Sequence, residues 1–255
     1  LGPARLGDRF MWSYFANPER FDRLARALIP WCWGVAAALF AVGLPWALYF
    51  SPGDYQQSDT VRIMYVHVPA AWLAMFAYAG LGGASFVYFI WRHNLADLAA
   101  RAIAPAGAVF AFICLATGSL WGRPMWGAWW VWDARMTSML VLFFLYLGYI
   151  ALNNAYDDPT KGARASAILA LVGVINVAIV KFSVDYFNTL HQPATFSKFD
   201  RPSMDPSMIA PLLIMVVGFI AFYLVVLIIR LRSEIAARRI RNLRLAQVGS
   251  QDANG

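Results

Sequence analysis

The sequence predicts an all-α integral membrane protein: one domain, residues 1–255, built as a bundle of six transmembrane helices. Of its 255 residues, 60% are hydrophobic and only 14% are charged, and the mean hydropathy is +0.55. This composition is typical of a polytopic membrane protein rather than a soluble domain. Six apolar runs can cross about 30 Å of hydrocarbon at about 1.5 Å per residue. They cover residues 29–50, 68–91, 102–121, 136–152, 165–184 and 208–230.

The distribution of lysine and arginine predicts the orientation of these spans, because basic residues in short loops stay on the cytoplasmic side. One side of the predicted bundle carries most of them: Arg5, Arg9, Arg20, Arg23, Arg26, Arg92, Arg101, Lys161, Arg164, Arg230, Arg232, Arg238, Arg239, Arg241 and Arg244. The loops on the other side carry few: Arg62, Arg123, Arg135, Lys198 and Arg201. We therefore expect both termini in the cytoplasm. The net charge of +7 then favours anionic lipid headgroups rather than nucleic acid as its partner.

Residues at the ends of the spans refine the helix boundaries. Residues 1–10 precede Met11, which offers a native start, so we expect them to be a leader or an upstream extension without functional residues. Proline suits the first turn of a helix, so Pro69 is expected to open the second span and leave His67 just before it. Asp133 precedes the fourth span, where an acidic side chain can cap the helix.

The chain has three histidines, and two of them fall on the predicted outer face. His67 lies in the first loop and His191 in the fifth, whereas His93 lies on the inner side. A single histidine at a membrane interface is commonly a hydrogen-bonded structural residue, and we interpret His93 in that way. Two neutral imidazoles suit the axial positions of a haem iron better than a structural zinc, which needs four protein ligands.

Five tryptophans are concentrated in the predicted external loop 121–133, WGRPMWGAWWVWD. They are Trp121, Trp126, Trp129, Trp130 and Trp132. Tryptophans at a membrane surface also form aromatic belts, but a belt is spread over many span ends. At helical spacing, Trp126, Trp129 and Trp130 would share one face and form an apolar shelf wide enough for a porphyrin.

Three outer arginines are candidate partners for carboxylates such as haem propionates, because a guanidinium group binds a carboxylate through two hydrogen bonds. Arg135, next to Asp133, is the first candidate. For Arg62 and Arg123, contact with lipid headgroups is the favoured alternative.

The segment WGRPMWGAWWVWDARMTS resembles the tryptophan-rich WWD signature of haem-handling proteins of cytochrome c biogenesis. That signature is shared with the larger families CcmF and CcsA. The flanking DYQQSDTVRIMYVHVPAAW and NTLHQPAT, the length and the six spans resemble the haem exporter protein C family, CcmC, of the system I pathway. The resemblance extends from about Met11 to about Arg239.

The resemblance implies a role for each motif. His67 and His191 would be the axial ligands of haem b, and the tryptophan-rich loop with Asp133 would contact haem and the haem chaperone CcmE. The site would face the periplasm from the bacterial inner membrane. CcmE would capture haem covalently, with help from the ABC-type partners CcmA and CcmB and the small subunit CcmD. The chain would then transfer haem between binding sites rather than act as an enzyme.

Three alternatives remain open on the residues alone. A haem transporter across the bilayer is disfavoured because few polar residues, chiefly Asn176 and Lys181, fall within the spans. A haem-containing quinol oxidoreductase subunit is disfavoured because no histidine falls at mid-membrane. The third alternative is a structural subunit whose tryptophans form only a belt. The sequence has no P-loop, so we expect no nucleotide hydrolysis by this chain.

Overall fold

The computed structural model describes residues 18–187, 190–191 and 204–252 of the chain. Within these ranges there is no β-strand, and six helices are long and apolar enough to cross a membrane. They are α1 (Pro18–Pro45), α2 (Met64–Trp91), α3 (Asn94–Trp126), α4 (Ala134–Asn154), α5 (Pro159–Tyr186) and α6 (Pro206–Asp252). The prediction of an all-α bundle of six helices is therefore confirmed. The leader predicted at residues 1–10 lies outside the described residues, as do Arg5, Arg9, Lys198 and Arg201.

Most helices extend well beyond the apolar runs that predicted them. The run 102–121 lies inside α3, and the run 208–230 covers only the first half of α6. An apolar run marks the part of a helix that suits hydrocarbon, whereas backbone hydrogen bonds continue into polar sequence until a capping residue ends them. The 47 residues of α6 correspond to about 70 Å, more than twice the thickness of the hydrocarbon.

Two local predictions are wrong. Pro69 does not open the second span, because a short 3-10 segment, Asp59–Ile63, leads directly into α2 at Met64. His67 therefore lies in the first turn of α2 and is fixed by a helical backbone rather than by a loop. Pro69 lies inside α2, so the expectation that proline occupies the first turn placed the start of this helix too late.

The predicted common face of Trp126, Trp129 and Trp130 does not form either. Trp126 is the last residue of α3, and Gly127 ends the helix with φ of +73°, a conformation that favours glycine. The residues from Ala128 to Asp133 are not helical, so helical spacing does not apply to them.

The α3 helix is the centre of the bundle and packs against α2, α4 and α6. Its contact with α4 is close at Gly107, where an added Cβ atom would overlap the ring of Tyr146. The Tyr146 hydroxyl donates a hydrogen bond of 2.7 Å to the carbonyl oxygen of Ala74 on α2, and its ring packs edge to face against Tyr78. This buried tyrosine therefore links three helices.

The α1 helix is peripheral and packs chiefly on α6. Phe40 and Phe219 join the two helices at a ring-centroid distance of 5.3 Å. Near the basic end, Arg232 Nε donates to Asp22 Oδ1 over 2.8 Å. The other faces of α1 expose large apolar side chains such as Trp31 and Val42, as expected of a helix that faces lipid.

Candidate functional site

His67 is held by a hydroxyl group on the neighbouring helix. Its Nδ1 lies 3.0 Å from Thr117 Oγ1 on α3. The Thr117 hydroxyl donates its only hydrogen to the carbonyl oxygen of Ile113, over 2.6 Å, so toward the histidine it acts as an acceptor. Nδ1 of His67 therefore carries the proton, and the lone pair of the neutral ring lies on Nε2.

Two further residues on the same face of α3, Trp121 and Gly118, bound the His67 ring. Trp121 packs edge to face on it, with ring centroids 5.7 Å apart. At Gly118 an added Cβ atom would lie only 3.1 Å from Cε1 of His67, so glycine leaves the space that the imidazole occupies. Trp121 lies one turn beyond Thr117 and Gly118 on α3, so the three residues present a single surface to the ring.

The first loop orients Trp121 in turn. Oδ1 of Asp54 accepts the backbone N–H groups of Gln56 and Gln57, at 2.8 and 2.9 Å, and closes a tight turn. Gln57 Oε1 then accepts the indole N–H of Trp121 over 3.0 Å. A loop and the end of α3 are thereby joined beside the histidine.

His191 is held by a carboxylate. Its Nδ1 lies 2.8 Å from Asp133 Oδ2, and both side chains are largely removed from solvent, with exposed fractions of 17% and 5%. The other oxygen of Asp133 accepts the backbone N–H of Met136 over 2.8 Å, so the same carboxylate caps α4. A carboxylate can only accept, and the lone pair of the neutral His191 ring therefore also lies on Nε2.

Burial keeps His191 neutral near pH 7, although a carboxylate lies beside it. Burial, the largest effect, lowers the pKa of His191 below its usual 6.5, and the nearby charge of Arg135 lowers it further. The hydrogen bond that His191 donates to Asp133 and the charge of that carboxylate act in the opposite direction and raise the pKa, but do not outweigh the burial. A neutral imidazole is the form that binds a metal.

Trp126 joins the two halves of the site. Its ring packs edge to face on His191, with centroids 5.0 Å apart, and it stands on the same helix as Trp121, which packs on His67. Gly122 leaves room for the Trp126 ring in this position. An added Cβ atom at Gly122 would lie 3.0 Å from that ring and 3.2 Å from the Ala128 carbonyl oxygen. His67 and His191 are also near enough for a charge on one to act on the other.

The remaining tryptophans of the loop differ in exposure. Trp129 and Trp132 are exposed by 56% and 75%, and the Trp129 carbonyl oxygen accepts the Ser119 hydroxyl over 2.8 Å. Trp130 packs on Trp132 with centroids 5.4 Å apart. Its buried indole N–H has no acceptor among the residues that the structure describes.

The three arginines occupy different surroundings. Arg135 lies near Asp133 and Asp185, and its charge reaches both histidines. Arg62 donates to the carbonyl oxygens of Leu48 and Ser51, at 3.1 and 3.0 Å, and pairs with Asp59.

Arg123 closes the end of α3 by donating to the Gly127 carbonyl oxygen over 2.7 Å. Arg135 is thus the arginine that the fold brings to the histidines. Arg62 and Arg123 are bonded to backbone groups at the rim, and their predicted contact with carboxylates stays a prediction.

Sequence reasoning missed Thr117, Gly118 and Gln57. Thr117 precedes Trp121 by four residues, a spacing that places both on one face of a helix. That signal could have been used if α3 had been expected to carry part of the site. Gln57 offers no such signal, because only the fold brings its loop to Trp121.

Comparison with known proteins agrees with the resemblance of the motifs. A family model described as Heme exporter protein C matches residues 11–246. A Heme exporter protein C of Bradyrhizobium diazoefficiens is 50% identical over 232 residues, which are 91% of this chain and 88% of that protein. The Heme exporter protein C of Escherichia coli K12 is 45% identical over 228 residues, 88% of this chain and 92% of that protein. One from Haemophilus influenzae is 43% identical over 228 residues, with 88% and 93% covered.

Proposed function

Since this chain belongs to the heme exporter protein C family, we propose that it holds haem at the periplasmic face of the bacterial inner membrane and delivers it to the haem chaperone CcmE. Family membership and six spanning helices make it a multi-pass membrane component of haem export for cytochrome c maturation. Haem is its cargo. His67 and His191 are the proposed axial ligands of the iron.

The proposal rests chiefly on the tautomers of the two histidines. Each Nδ1–H is directed to a protein oxygen, Thr117 Oγ1 for His67 and Asp133 Oδ2 for His191, so each ring would offer Nε2 to a metal. Histidine ligands of metals commonly donate their second N–H in this way, which fixes the ring and increases its basicity. Two such rings from different elements suit a bis-histidine iron.

The partners of the two rings differ in charge. Thr117 is neutral, whereas Asp133 is a carboxylate, and a carboxylate increases the donor strength of an imidazole more than a hydroxyl does. We therefore expect His191 to be the stronger ligand and His67 the one released first during transfer of haem to CcmE.

The aromatic residues fit the flat, apolar body of haem. Trp121 and Trp126 pack on the two imidazoles, while Trp129 and Trp132 remain exposed where haem and CcmE would both have to approach. The buried N–H of Trp130, which has no acceptor among the described residues, suits a carboxylate oxygen of the ligand. We assign the packing of the macrocycle to the tryptophans and the binding of propionates chiefly to Arg135.

The proposed cargo is haem b, which is bound without a covalent link. Covalent attachment of haem in c-type cytochromes uses the motif C-x-x-C-H, with two cysteines three positions apart followed by histidine. The two cysteines of this chain, Cys32 on α1 and Cys114 on α3, lie on different helices. Onward transfer would use the ABC-type partners CcmA and CcmB and the small subunit CcmD.

The decisive experiment is an absorption spectrum of the purified protein and of its histidine variants. Wild-type protein from haem-replete cells should show a low-spin bis-histidine haem, and His67→Ala and His191→Ala should each lose most of it. His93→Ala is the matched control, because His93 lies at the start of α3, at the other end of the bundle, and should leave the spectrum unchanged.

Transfer is measured by co-purification with CcmE, scored for covalently trapped haem. Wild type and His93→Ala should yield the trapped form, and the two other variants should not. A colourless wild-type protein, or haem that neither substitution affects, would refute the proposed site. Haem binding without any transfer to CcmE would favour a haem transporter or an oxidoreductase subunit instead.

A further inference from the structure

A second polar site lies at the end of the bundle remote from the histidines. A cavity of about 100 Å³ opens there between α3, α4 and α6. Its lining residues are Arg101, Pro105, Tyr149, Ile150, Asn153, Asn154, Arg230 and Glu234. From Arg101 to Thr117, α3 rises about 24 Å, so this cavity is separate from the haem site.

The ends of the apolar runs place the cavity at the depth of lipid headgroups. Arg101 immediately precedes the apolar run 102–121, Asn153 immediately follows the run 136–152, and Arg230 ends the run 208–230. Three helices therefore reach the boundary of the hydrocarbon at the same level. A ligand bound there would have its polar part among these residues and its apolar part beside the helices.

Among the described residues, one arginine that lines the cavity is paired with a carboxylate, and the other is not. Arg101 Nε donates to Asp97 Oδ2 over 3.1 Å, and both side chains are largely buried, so this pair is neutral as a unit. Arg230 and Glu234 are half-buried one turn apart on α6 and both line the cavity, yet no ion pair joins them. Nε of Arg230 is buried and has no hydrogen-bond partner among the described residues.

The buried Nε of Arg230, which has no partner among the described residues, costs free energy unless an acceptor reaches it, and Glu234 is a half-buried carboxylate one turn away. A phosphate suits Arg230, because guanidinium groups bind phosphate oxygens through two hydrogen bonds. A primary ammonium suits Glu234, since it donates charge-assisted hydrogen bonds to a carboxylate. One ligand class carries both groups a few bonds apart and occurs at this depth: membrane phospholipids with a primary amine.

We propose that this cavity binds the headgroup of an aminophospholipid, with its phosphate on Arg230 and its ammonium on Glu234. A purely anionic headgroup would leave Glu234 unmatched and repelled. A choline headgroup would place a quaternary nitrogen without N–H groups at the carboxylate. The site therefore selects phosphatidylethanolamine over phosphatidylglycerol and phosphatidylcholine.

The test is thermal unfolding of the purified full chain in detergent, titrated with phosphatidylethanolamine, phosphatidylcholine or phosphatidylglycerol of identical acyl chains. Phosphatidylethanolamine should stabilise the protein at about tenfold lower concentration than the other two, since one charge-assisted hydrogen bond is lost in each of them. Native mass spectrometry should detect one retained phosphatidylethanolamine molecule. Soluble O-phosphoethanolamine, which has the headgroup without acyl chains, should bind much more weakly.

Variants separate the two contacts. Glu234→Gln should abolish the preference for phosphatidylethanolamine over phosphatidylcholine while phospholipid binding persists, and Arg230→Gln should weaken binding of all three lipids. Arg239→Gln, at an exposed position further along α6, is the control and should keep the preference. Glu234→Gln decides the question by itself where Arg230→Gln fails to fold.

Two results would overturn the proposal. One is equal stabilisation by the three lipids, or a preference that persists in Glu234→Gln. The other is binding of O-phosphoethanolamine as tight as that of the lipid, which would identify a small soluble ligand instead.

Discussion

At the scale of single residues, Asp133 combines two tasks, of which the sequence predicted only the helix cap. One oxygen caps α4 through the N–H of Met136, and the other holds His191. The motif indicated an N-cap because acidic residues favour that position, but the contact with His191 spans 58 residues of chain and has no local signal. The residue type predicted that Asp133 can cap a helix, and only the fold determined that it also contacts His191.

The two tasks of Asp133 can be separated by substitution. Asparagine is as good an N-cap as aspartate, so Asp133→Asn should keep thermal stability close to wild type. Because it removes the charge facing His191, haem retention should fall about tenfold. Asp133→Ala should lose haem and also about 1 kcal/mol of stability from the lost cap. Absorbance at the haem band and thermal unfolding in detergent measure both effects, and full haem retention in Asp133→Asn would contradict the assigned role.

At the scale of secondary-structure elements, α3 is the scaffold of the site. Its last three turns supply Thr117, Gly118 and Trp121 to His67, and Trp126 to His191. The sequence predicted that α3 would end near Trp121 and treated the residues beyond it as a loop. The helix continues to Trp126 because polar and aromatic residues are compatible with helical backbone, and only the left-handed Gly127 ends it.

A substitution at Gly118 tests whether the close contact with α3 positions the imidazole of His67. Gly118→Ala would place a methyl group 3.1 Å from Cε1, so the imidazole must move by a few tenths of an ångström and its bond to Thr117 is disturbed. We expect haem retention to fall by up to about tenfold while the protein remains folded.

Gly83→Ala on α2 is the matched control, because no atom lies within 4 Å of the added methyl group. It should retain haem fully and gain a few tenths of a kcal/mol in stability, since alanine favours helix more than glycine does. Equal haem occupancy in the two variants would show that the ring has room to adjust. Absorbance per mole of purified protein is the measurement.

At the scale of the whole molecule, the bundle keeps two polar ends apart. The histidine site lies where α3 ends and α4 begins, and the cavity at Arg230 lies where α3 begins and α4 ends. Between them the core of α2, α3 and α4 is filled by residues such as Tyr78, Leu142 and Tyr146. Each end is therefore expected to face a different compartment.

This arrangement predicts the accessibility of two exposed positions. Tyr55 lies before α2 and Arg239 lies on the long extension of α6, and five spanning helices, α2 to α6, separate the two positions. An odd number of crossings places them on opposite sides. In a background with Cys32→Ala and Cys114→Ala, Tyr55→Cys should react with an impermeant maleimide in intact spheroplasts. Arg239→Cys should react only after lysis, because basic segments remain cytoplasmic. The reverse pattern, or reaction of both in intact cells, would contradict the orientation.

The sequence alone determined the class of the molecule and most of the residues of its candidate site. Apolar runs must become helices in lipid, because the backbone has no other hydrogen-bond partners there, so six spans could be counted without a structure. Histidine and tryptophan are distinctive enough in chemistry for the motif to single out His67, His191 and the tryptophan-rich segment.

Only the tertiary structure decided which groups meet. The acceptors of the two imidazoles, Thr117 and Asp133, lie 50 and 58 residues from them, and Gln57 lies 64 residues from Trp121. Such contacts depend on how whole helices pack, which local propensity does not specify. The same packing leaves the buried Nε of Arg230 without a hydrogen-bond partner among the described residues, beside Glu234 in a cavity that no sequence motif predicts.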